Sequence, residues 1–231
     1  MIKRFKVSKF KNLLAIDTST NQIAIGLFQF GKPDLVLTKN DSLRHAEYAS
    51  VLIQKIIKES GLNFSEIDAI TCGIGPGPFT GLRVGIVSAQ VIGHALNIPV
   101  YGVCSHDAIA YEHYQNNSHQ ESTVITDARR KEVYWTQYRF GKRISTPKVS
   151  KLEDVEIIGD KLLHETLNPI FLAKIAIESL NQSEKILDVK TFVTDSPTGD
   201  GSIVSLPAQV LLPPIPLYLR RPDALTIAER L

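Results

Sequence analysis

Residues 73–83, with the sequence GIGPGPFTGLR, are the first stretch that could hold a ligand, because glycines and prolines run directly into an apolar segment. A glycine-rich turn at the start of a helix often binds a phosphate through its backbone amides. Pro76 and Pro78 lack that amide donor, and an anion cradle depends on such donors. The stretch therefore favours a rigid entry turn that positions the following helix.

Nucleophilic and metal chemistry find little support elsewhere in the sequence. No serine stands in a G-x-S-x-G elbow, and Cys72 and Cys104 are too far apart to form a metal-ligand pair. We expect both cysteines to be reduced and buried. His113 and His119 fall in a polar run and are expected to be solvated. The sequence thus predicts no catalytic residue, no metal ligand and no cofactor.

Composition limits the classes of partner. The 231 residues carry a net charge of +2, with 43% hydrophobic and 22% charged residues, which is ordinary for a globular protein and weak for a nucleic-acid binder. The N-terminal residues 1–12 are basic without the apolar run of a signal peptide. No stretch approaches the roughly 18 apolar residues of a membrane helix. These features predict a soluble cytoplasmic protein with no membrane contact.

Hydrophobic periodicity predicts an α/β order for the first half of the chain. A three-strand meander over residues 13–40 precedes a helix that ends near Gly61. Strands and helices then alternate, with a strand at 67–75, a helix from about Phe79 to Leu96, a strand at 100–104 and a helix from Ser105. Such an order predicts a sheet covered by helices.

The second half of the chain is less regular. The polar run 114–122 is predicted to be a loop and the domain boundary, and residues 122–140 a hairpin around the charged turn Arg129 to Lys131. Residues 160–182 are predicted to form one helix, and the proline-rich tail to be extended. We therefore predict a first domain at 1–113 and a reduced second domain at 114–231, whose last residues are allowed to pack back on the first.

The helix that follows the glycine-rich turn is apolar nearly all round, since Arg83 is its only charged residue after Thr80. Such a helix is buried on more than one side, against a neighbouring helix or another chain. We assign Val84, Val87, Val91 and Ala95 to the sheet. The predicted partner surface, shared with the first helix, comprises His45, Tyr48, Leu52, Phe79, Leu82, Arg83, Ile86 and Gln90. Small residues from Gly85 to Gly93 would let another backbone approach closely.

Several stretches together resemble the bacterial TsaB family, also called YeaZ. They are LLAIDTSTNQIAIGL at 13–27, GPGPFTGLR at 75–83 and DARRKEVYW at 127–135, with RHAE at 44–47 and YLRRPDA at 218–224. The resemblance is strong from residue 12 to about 140 and looser beyond, and the GPGPFTGLR stretch after a strand is its most specific part.

The resemblance implies an actin-like ATPase fold, with two related α/β halves of which the second is reduced. It also implies a part in making N6-threonylcarbamoyladenosine at adenosine 37 of tRNAs that read ANN codons. In that family the protein is a non-catalytic subunit that pairs with the catalytic homologue TsaD, and the ATPase TsaE joins them. Binding of tRNA would occur mainly through the complex, and pairing as a homodimer is left open.

An enzymatic role would require phosphate-binding turns and metal-holding carboxylates in both halves of such a fold. Asp17, Thr18, Ser19 and Asp127 are the vestigial nucleotide-site candidates. They have a simpler explanation, in which the first three satisfy the backbone groups of a turn and Asp127 pairs with the basic residues that follow it. Residues 195–202, DSPTGDGS, are better suited to a solvent turn than to a second phosphate loop.

The histidines weaken the enzymatic alternative further. The catalytic relative uses a helical H-x-x-x-H pair, and no two of the six histidines here are four residues apart. A non-catalytic pairing subunit is therefore the first hypothesis, and a stand-alone actin-like ATPase or small-molecule kinase is the second. A peptidase role is supported only by the older name of the wider glycoprotease family.

Overall fold

The computed structural model describes residues 10–40, 44–117, 119–164, 166–181, 211–212 and 214–219. Within these residues, five strands form a first sheet in the order β3-β2-β1-β4-β5. The strands β1 to β3 pair antiparallel, whereas β4 runs parallel to β1 and β5 parallel to β4. The elements of this half are β1 (Asn12–Asp17), β2 (Gln22–Gln29), β3 (Leu35–Asn40), α1 (His45–Ser60), β4 (Ala69–Gly73), α2 (Phe79–Leu96), β5 (Val100–Val103) and α3 (Ser105–Asn117).

The first two helices end where the sequence predicts. Gly61 and Asn97 follow α1 and α2 with φ angles of 72° and 54°, the left-handed conformation that commonly closes a helix. The predicted meander, helices and intervening strands of this half are confirmed.

Alternating side chains of β1 divide the apolar interior into two layers. Leu14 and Ile16 point to the core that α1 and α2 cover. Leu13 and Ala15 point to the opposite core, which contains residues of α3 and of the second half. The period of two in a strand therefore places helices on both faces of the first sheet.

The second sheet repeats part of this pattern. Within the described residues its order is β10-β6-β7-β8, and β9 pairs with β7. An antiparallel hairpin lies beside a parallel strand, as β1 and β2 lie beside β4. Its elements are β6 (Glu121–Arg129), β7 (Glu132–Arg139), β8 (Lys142–Arg143), β9 (Lys148–Lys151), β10 (Asp160–Leu163) and α4 (Ile170–Asn181). The predicted charged hairpin is confirmed.

Two sequence-based predictions for this half are wrong in part. The helix α3 continues through Asn117, so the first residues of the run 114–122 are helical. Residues 160–163 form a strand because they pair with β6, and α4 begins only at Ile170. Short apolar runs are ambiguous between helix and strand without their tertiary partner.

The helix α4 packs on the first sheet although it follows the second. A Cβ atom on Gly26 of β2 would lie 3.0 Å from Ile170 Cδ1, so the absence of a side chain there admits the start of α4. Leu13, Val124 and Leu172 belong to one buried core that contains residues from both halves. A domain division at residue 113 stays a prediction, since apolar packing is continuous across it.

Buried polar groups connect α3 to the second sheet. His106 hydrogen-bonds Thr126 and Thr136 through its two ring nitrogens, each at 2.8 Å. Burial lowers the pKa of His106 to about 3, so the imidazole is neutral. Its neighbour Asp107 accepts hydrogen bonds from Arg143 Nη2 at 3.1 Å and from the Tyr138 hydroxyl at 2.8 Å.

We predict that Arg143→Met lowers the free energy of unfolding by about 3–5 kcal/mol, because it leaves Asp107 as an uncompensated buried charge. The control is Arg139→Met, which removes an exposed ion pair with Glu121 and should cost no more than about 1 kcal/mol. Urea denaturation of both variants measures the difference. Equal costs would show that the buried ion pair contributes no more to stability than a surface pair.

Candidate functional site

The carboxylate of Asp17 lies at the end of β1, and both of its oxygens accept hydrogen bonds from the protein. Its Oδ1 accepts hydrogen bonds from the Ser19 amide at 2.8 Å and the Ser19 hydroxyl at 2.7 Å. Its Oδ2 accepts from the hydroxyl of Ser105, the first residue of α3, at 2.7 Å. Burial raises the pKa of Asp17, although the hydrogen bonds from Ser19 and Ser105 oppose that shift.

The next residue, Thr18, fastens this turn to α2. Its hydroxyl donates to the Gly81 carbonyl at 2.7 Å and accepts from the Gly85 amide at 3.0 Å. An α-helix joins such a carbonyl and amide, four residues apart, directly. The Thr18 hydroxyl therefore bridges one step of the hydrogen-bond ladder of α2.

Three glycines at four-residue spacing allow the β1–β2 turn to lie this close to α2. A Cβ atom on Gly77 would lie 2.3 Å from the Ser19 carbonyl oxygen, and one on Gly81 would lie 2.5 Å from that of Thr18. A Cβ on Gly85 would lie 2.4 Å from Thr18 Oγ1. The glycines thus let the helix rest on the chain's own β1–β2 turn. The space at Gly85, which was predicted to admit a partner's backbone, is occupied by Thr18.

These contacts favour the structural explanation of the Asp17, Thr18 and Ser19 turn. Both carboxylate oxygens of Asp17 face protein donors, and the backbone of Ser19 lies against Gly77. Asp127 serves a separate turn, where it is exposed and accepts the Arg129 amide at 2.8 Å. Residues 195–202, which the sequence favours as a solvent turn over a second phosphate loop, lie outside the described residues.

Both cysteines occupy the interior, as the sequence predicts. Burial raises the pKa of the Cys104 thiol to about 12 and also raises the pKa of the Cys72 thiol. Both thiols are therefore protonated at neutral pH and are poor nucleophiles.

The structure reverses the predicted faces of α2. Ile86 is 2% exposed and Leu82 is fully buried in the core beneath α1 and α2, whereas Val87 is 52% and Val91 61% exposed. His45 is also buried and lies within 3.3 Å of the Thr20 carbonyl oxygen through Nε2. The face prediction was wrong because the glycines, and not the largest apolar residues, mark the side that packs closely.

The remaining predicted surface residues are accessible to different extents. Tyr48 and Leu52 are half-buried on α1, and Lys39 and Arg44 lie over the Tyr48 ring. Phe79, Arg83 and Gln90 instead contact a C-terminal segment of this chain, residues 214–219. These residues belong to the tail that the sequence predicts to be extended and allows to pack back on the first half.

This C-terminal segment lies along α2. The Tyr218 ring stacks on Phe79 at 4.6 Å between centroids, and Arg83 Nε donates to the Tyr218 hydroxyl at 2.9 Å. Gln90 Nε2 donates to the Pro214 carbonyl at 2.8 Å. A shallow open cavity of about 520 Å³ lies beside it at the far end of α2, lined by His94, Asn97, Val100 and Pro214 among others. The rest of the predicted YLRRPDA stretch, from residue 220, lies outside the described residues.

The apolar character of α2 also bears on membranes. Among the described residues, Phe79–Leu96 is a helix long and apolar enough to cross a bilayer, with a mean hydropathy of 1.2. The expectation that no stretch approaches the length and hydropathy of a membrane helix is thereby revised. One such helix is weak support for a membrane span, because core helices of soluble proteins pass the same test. The glycine side of α2 packs on the protein's own turn, as described above.

A family model supports the resemblance seen in the sequence. The model for TsaD, described as tRNA N6-adenosine threonylcarbamoyltransferase, matches residues 38–182, which is more than half of the chain. The chain belongs to this family, and its similarities to individual proteins assign it to the TsaB (YeaZ) members.

Those similarities cover different shares of the chain. An uncharacterized protein of Mycobacterium tuberculosis (strain ATCC 25618 / H37Rv) is 37% identical over 224 residues, which are 95% of this chain and 97% of the relative. The tRNA threonylcarbamoyladenosine biosynthesis protein TsaB of Escherichia coli (strain K12) is 32% identical over 127 residues, 55% of this chain and 54% of that protein. The structure of YeaZ from Pseudomonas aeruginosa is 27% identical with a TM-score of 0.66, covering 75% of this chain and 94% of that one. The actin-like fold is therefore confirmed.

We predict that Gly85→Ala destabilises the protein by about 1–3 kcal/mol, because the new methyl group overlaps the Thr18 hydroxyl. In an unconstrained helix the same change stabilises by about 0.8–1.0 kcal/mol. Thermal and urea unfolding measure whether Gly85→Ala lowers or raises the free energy of unfolding. Thr80→Ala, an exposed change in the same helix, is the control and should stay within about 0.5 kcal/mol of the unchanged protein.

A double-mutant cycle tests the cause. In a Thr18→Ala background the hydroxyl is absent, so Gly85→Ala should cost less than it does alone. Additive costs would contradict an overlap between these two groups.

Proposed function

We propose that this chain acts in the biosynthesis of threonylcarbamoyladenosine in tRNA, as a non-catalytic subunit that pairs with a TsaD-type catalytic protein in the cytoplasm. A TsaE-type ATPase joins the pair, and tRNA is bound mainly through the complex. The names of the matched family and of the similar TsaB proteins support the pathway. The pairing role is supported by one observation, the exposed apolar stripe of α2.

That stripe runs the length of the helix on the side opposite the glycines. The exposed or half-buried positions recur at helical spacing and mix apolar with polar side chains, as protein interfaces do. They are Thr80, Arg83, Val84, Val87, Gln90, Val91, His94 and Ala95. Two exposed valines on adjacent turns are apolar surface that a pairing subunit can bury against its partner.

The first helix extends the stripe into a wider surface. By their connections in the sheet, α1 and α2 run in the same direction, and His45 Nε2 lies 3.9 Å from where a Gly81 Cβ would stand. Val51 follows His45 by six residues, and Val87 follows Gly81 by six residues, which is about 9 Å along each helix axis. They lie at matching heights, and Val51 is 56% exposed.

The pairing surface we propose therefore contains Val51, Val87 and Val91, with Tyr48, Leu52, Arg83 and Gln90 around them. The buried residues His45, Leu82 and Ile86 support this surface from beneath and are no longer proposed as contacts. The C-terminal segment 214–219 borders it through Arg83 and Gln90. A homodimer, if formed, would use the same apolar surface and compete with the partner.

A stand-alone ATPase or kinase is the weaker candidate. A nucleotide site of the actin-like class needs an open carboxylate and donor-rich turns. Asp17 is instead buried and its two oxygens accept from protein groups. Pro76 and Pro78 remove amides from the turn that follows β4, and Gly77 in that turn lies against Ser19.

We predict that Val87→Glu abolishes pairing while leaving the fold intact. The carboxylate would be buried unpaired in the complex, which costs several kcal/mol and weakens binding by about 100-fold or more. Size-exclusion chromatography and titration calorimetry with the TsaD-type partner measure the loss. Melting of the isolated chain should change by no more than about 2 °C, because Val87 is exposed.

Two control variants separate pairing from folding. Ile144→Glu introduces the same charge at an exposed residue of the second half and should pair normally. Ile86→Glu places the charge in the core and should unfold the chain. Normal pairing by Val87→Glu would show that this stripe is not the pairing surface.

We also predict that the purified chain does not turn over ATP, because Asp17 is engaged within the protein. A phosphate-release assay over the chain alone measures this. Steady turnover that is lost in Asp17→Ala, in a variant that still melts cooperatively, would establish a working nucleotide site and overturn the non-catalytic assignment.

A further inference from the structure

A cluster of two histidines and an aspartate lies in the second half, in residues that the pairing role does not use. His113 is on the last turns of α3, His119 precedes β6, and Asp160 begins β10. The parallel pairing of β10 with β6 sets Asp160 opposite Ser122, close to the chain that leaves His119. Three segments separated in sequence thus meet at one point.

The two imidazoles converge on a single oxygen atom. His113 Nε2 lies 2.8 Å from Asp160 Oδ2, and His119 Nδ1 hydrogen-bonds the same Oδ2. One ligand atom from each side chain lies within 4.8 Å of the other two. Three atoms of the types that bind transition metals therefore lie close together at one point.

The donor set selects the kind of ion. Imidazole nitrogens and one carboxylate suit zinc and similar divalent transition metals, whereas magnesium and calcium prefer oxygen ligands alone. Zinc binds such atoms at about 2.0–2.2 Å in a tetrahedral arrangement. The three ligand atoms need only small movements to reach this tetrahedral geometry. The side chains of His119 and Asp160 are accessible enough to make those movements.

The other ring nitrogen of His113 is held by a neighbouring side chain. The Asn117 side-chain amide lies 3.1 Å from His113 Nδ1. The same Asn117 nitrogen donates to the His113 carbonyl at 3.1 Å, so two contacts from one amide group hold this side of the ring. The imidazole of His113, whose side chain is only 17% exposed, is thereby oriented before an ion arrives.

We propose that His113, His119 and Asp160 form a binding site for one zinc-class divalent ion, with a fourth position open to water or another ligand. The ion joins the end of α3 to the edge strand β10 and to the chain entering β6. This inference is independent of the pairing function, since none of the three residues lies on α1 or α2.

Zinc titration of the full chain, stripped with a chelator and dialysed, tests the proposal. Calorimetry should give one Zn²⁺ per chain, and an ion at 100 times its dissociation constant should raise the melting temperature by about 5 °C or more. Magnesium at the same concentration should leave the melting temperature unchanged. Absence of zinc binding, or binding without a defined stoichiometry, overturns the proposal.

Matched variants assign the ligands. His119→Gln and Asp160→Asn each remove one ligand and should weaken zinc binding by about 100-fold or more, whereas His94→Gln changes an exposed histidine of α2 outside the cluster and should bind as before. Metal-free melting of each variant verifies that it is folded. If His119→Gln and Asp160→Asn are both folded and bind zinc as the unchanged chain does, the ion lies elsewhere and the site is refuted.

Discussion

The bridge that the Thr18 hydroxyl makes between Gly81 and Gly85 is the contact on which the first half depends. It joins the end of β1 to the start of α2, and the glycines around it allow two backbones to meet at van der Waals distance. The adjacent Asp17 ties the same turn to the first residue of α3. One short turn therefore positions a strand, a surface helix and the helix that leads to the second half.

This arrangement shows how the polar residues that follow β1 satisfy one another inside the protein. Asp17, Thr18 and Ser19 all make internal hydrogen bonds. Buried polar groups must find partners, and Asp17 finds them within the protein.

The same packing leaves the other side of α2 free to associate. Because the glycine side is fixed on the β1–β2 turn, the valines at 87 and 91 have no place in the core and remain on the surface. The C-terminal residues Pro214 and Tyr218 then bind the polar edge of that surface through Gln90 and Arg83. In the proposed assembly, the packing of the glycine side of α2 on the β1–β2 turn stabilises the subunit. The same packing leaves the pairing surface exposed.

The sequence by itself determined the elements and the family. Gly61 and Asn97 mark the helix ends by their tolerance of left-handed conformation, alternation identifies β1 and β2, and the GPGPFTGLR stretch carries the resemblance. Only tertiary structure decided which side of α2 is buried, because a helix apolar all round has no periodicity from which to read a face. It also decided that residues 160–163 are a strand, since their pairing partner is about 38 residues away in sequence, and it brought His113, His119 and Asp160 together. Contacts between distant segments depend on which strands pair, and a short segment does not by itself identify its pairing partner.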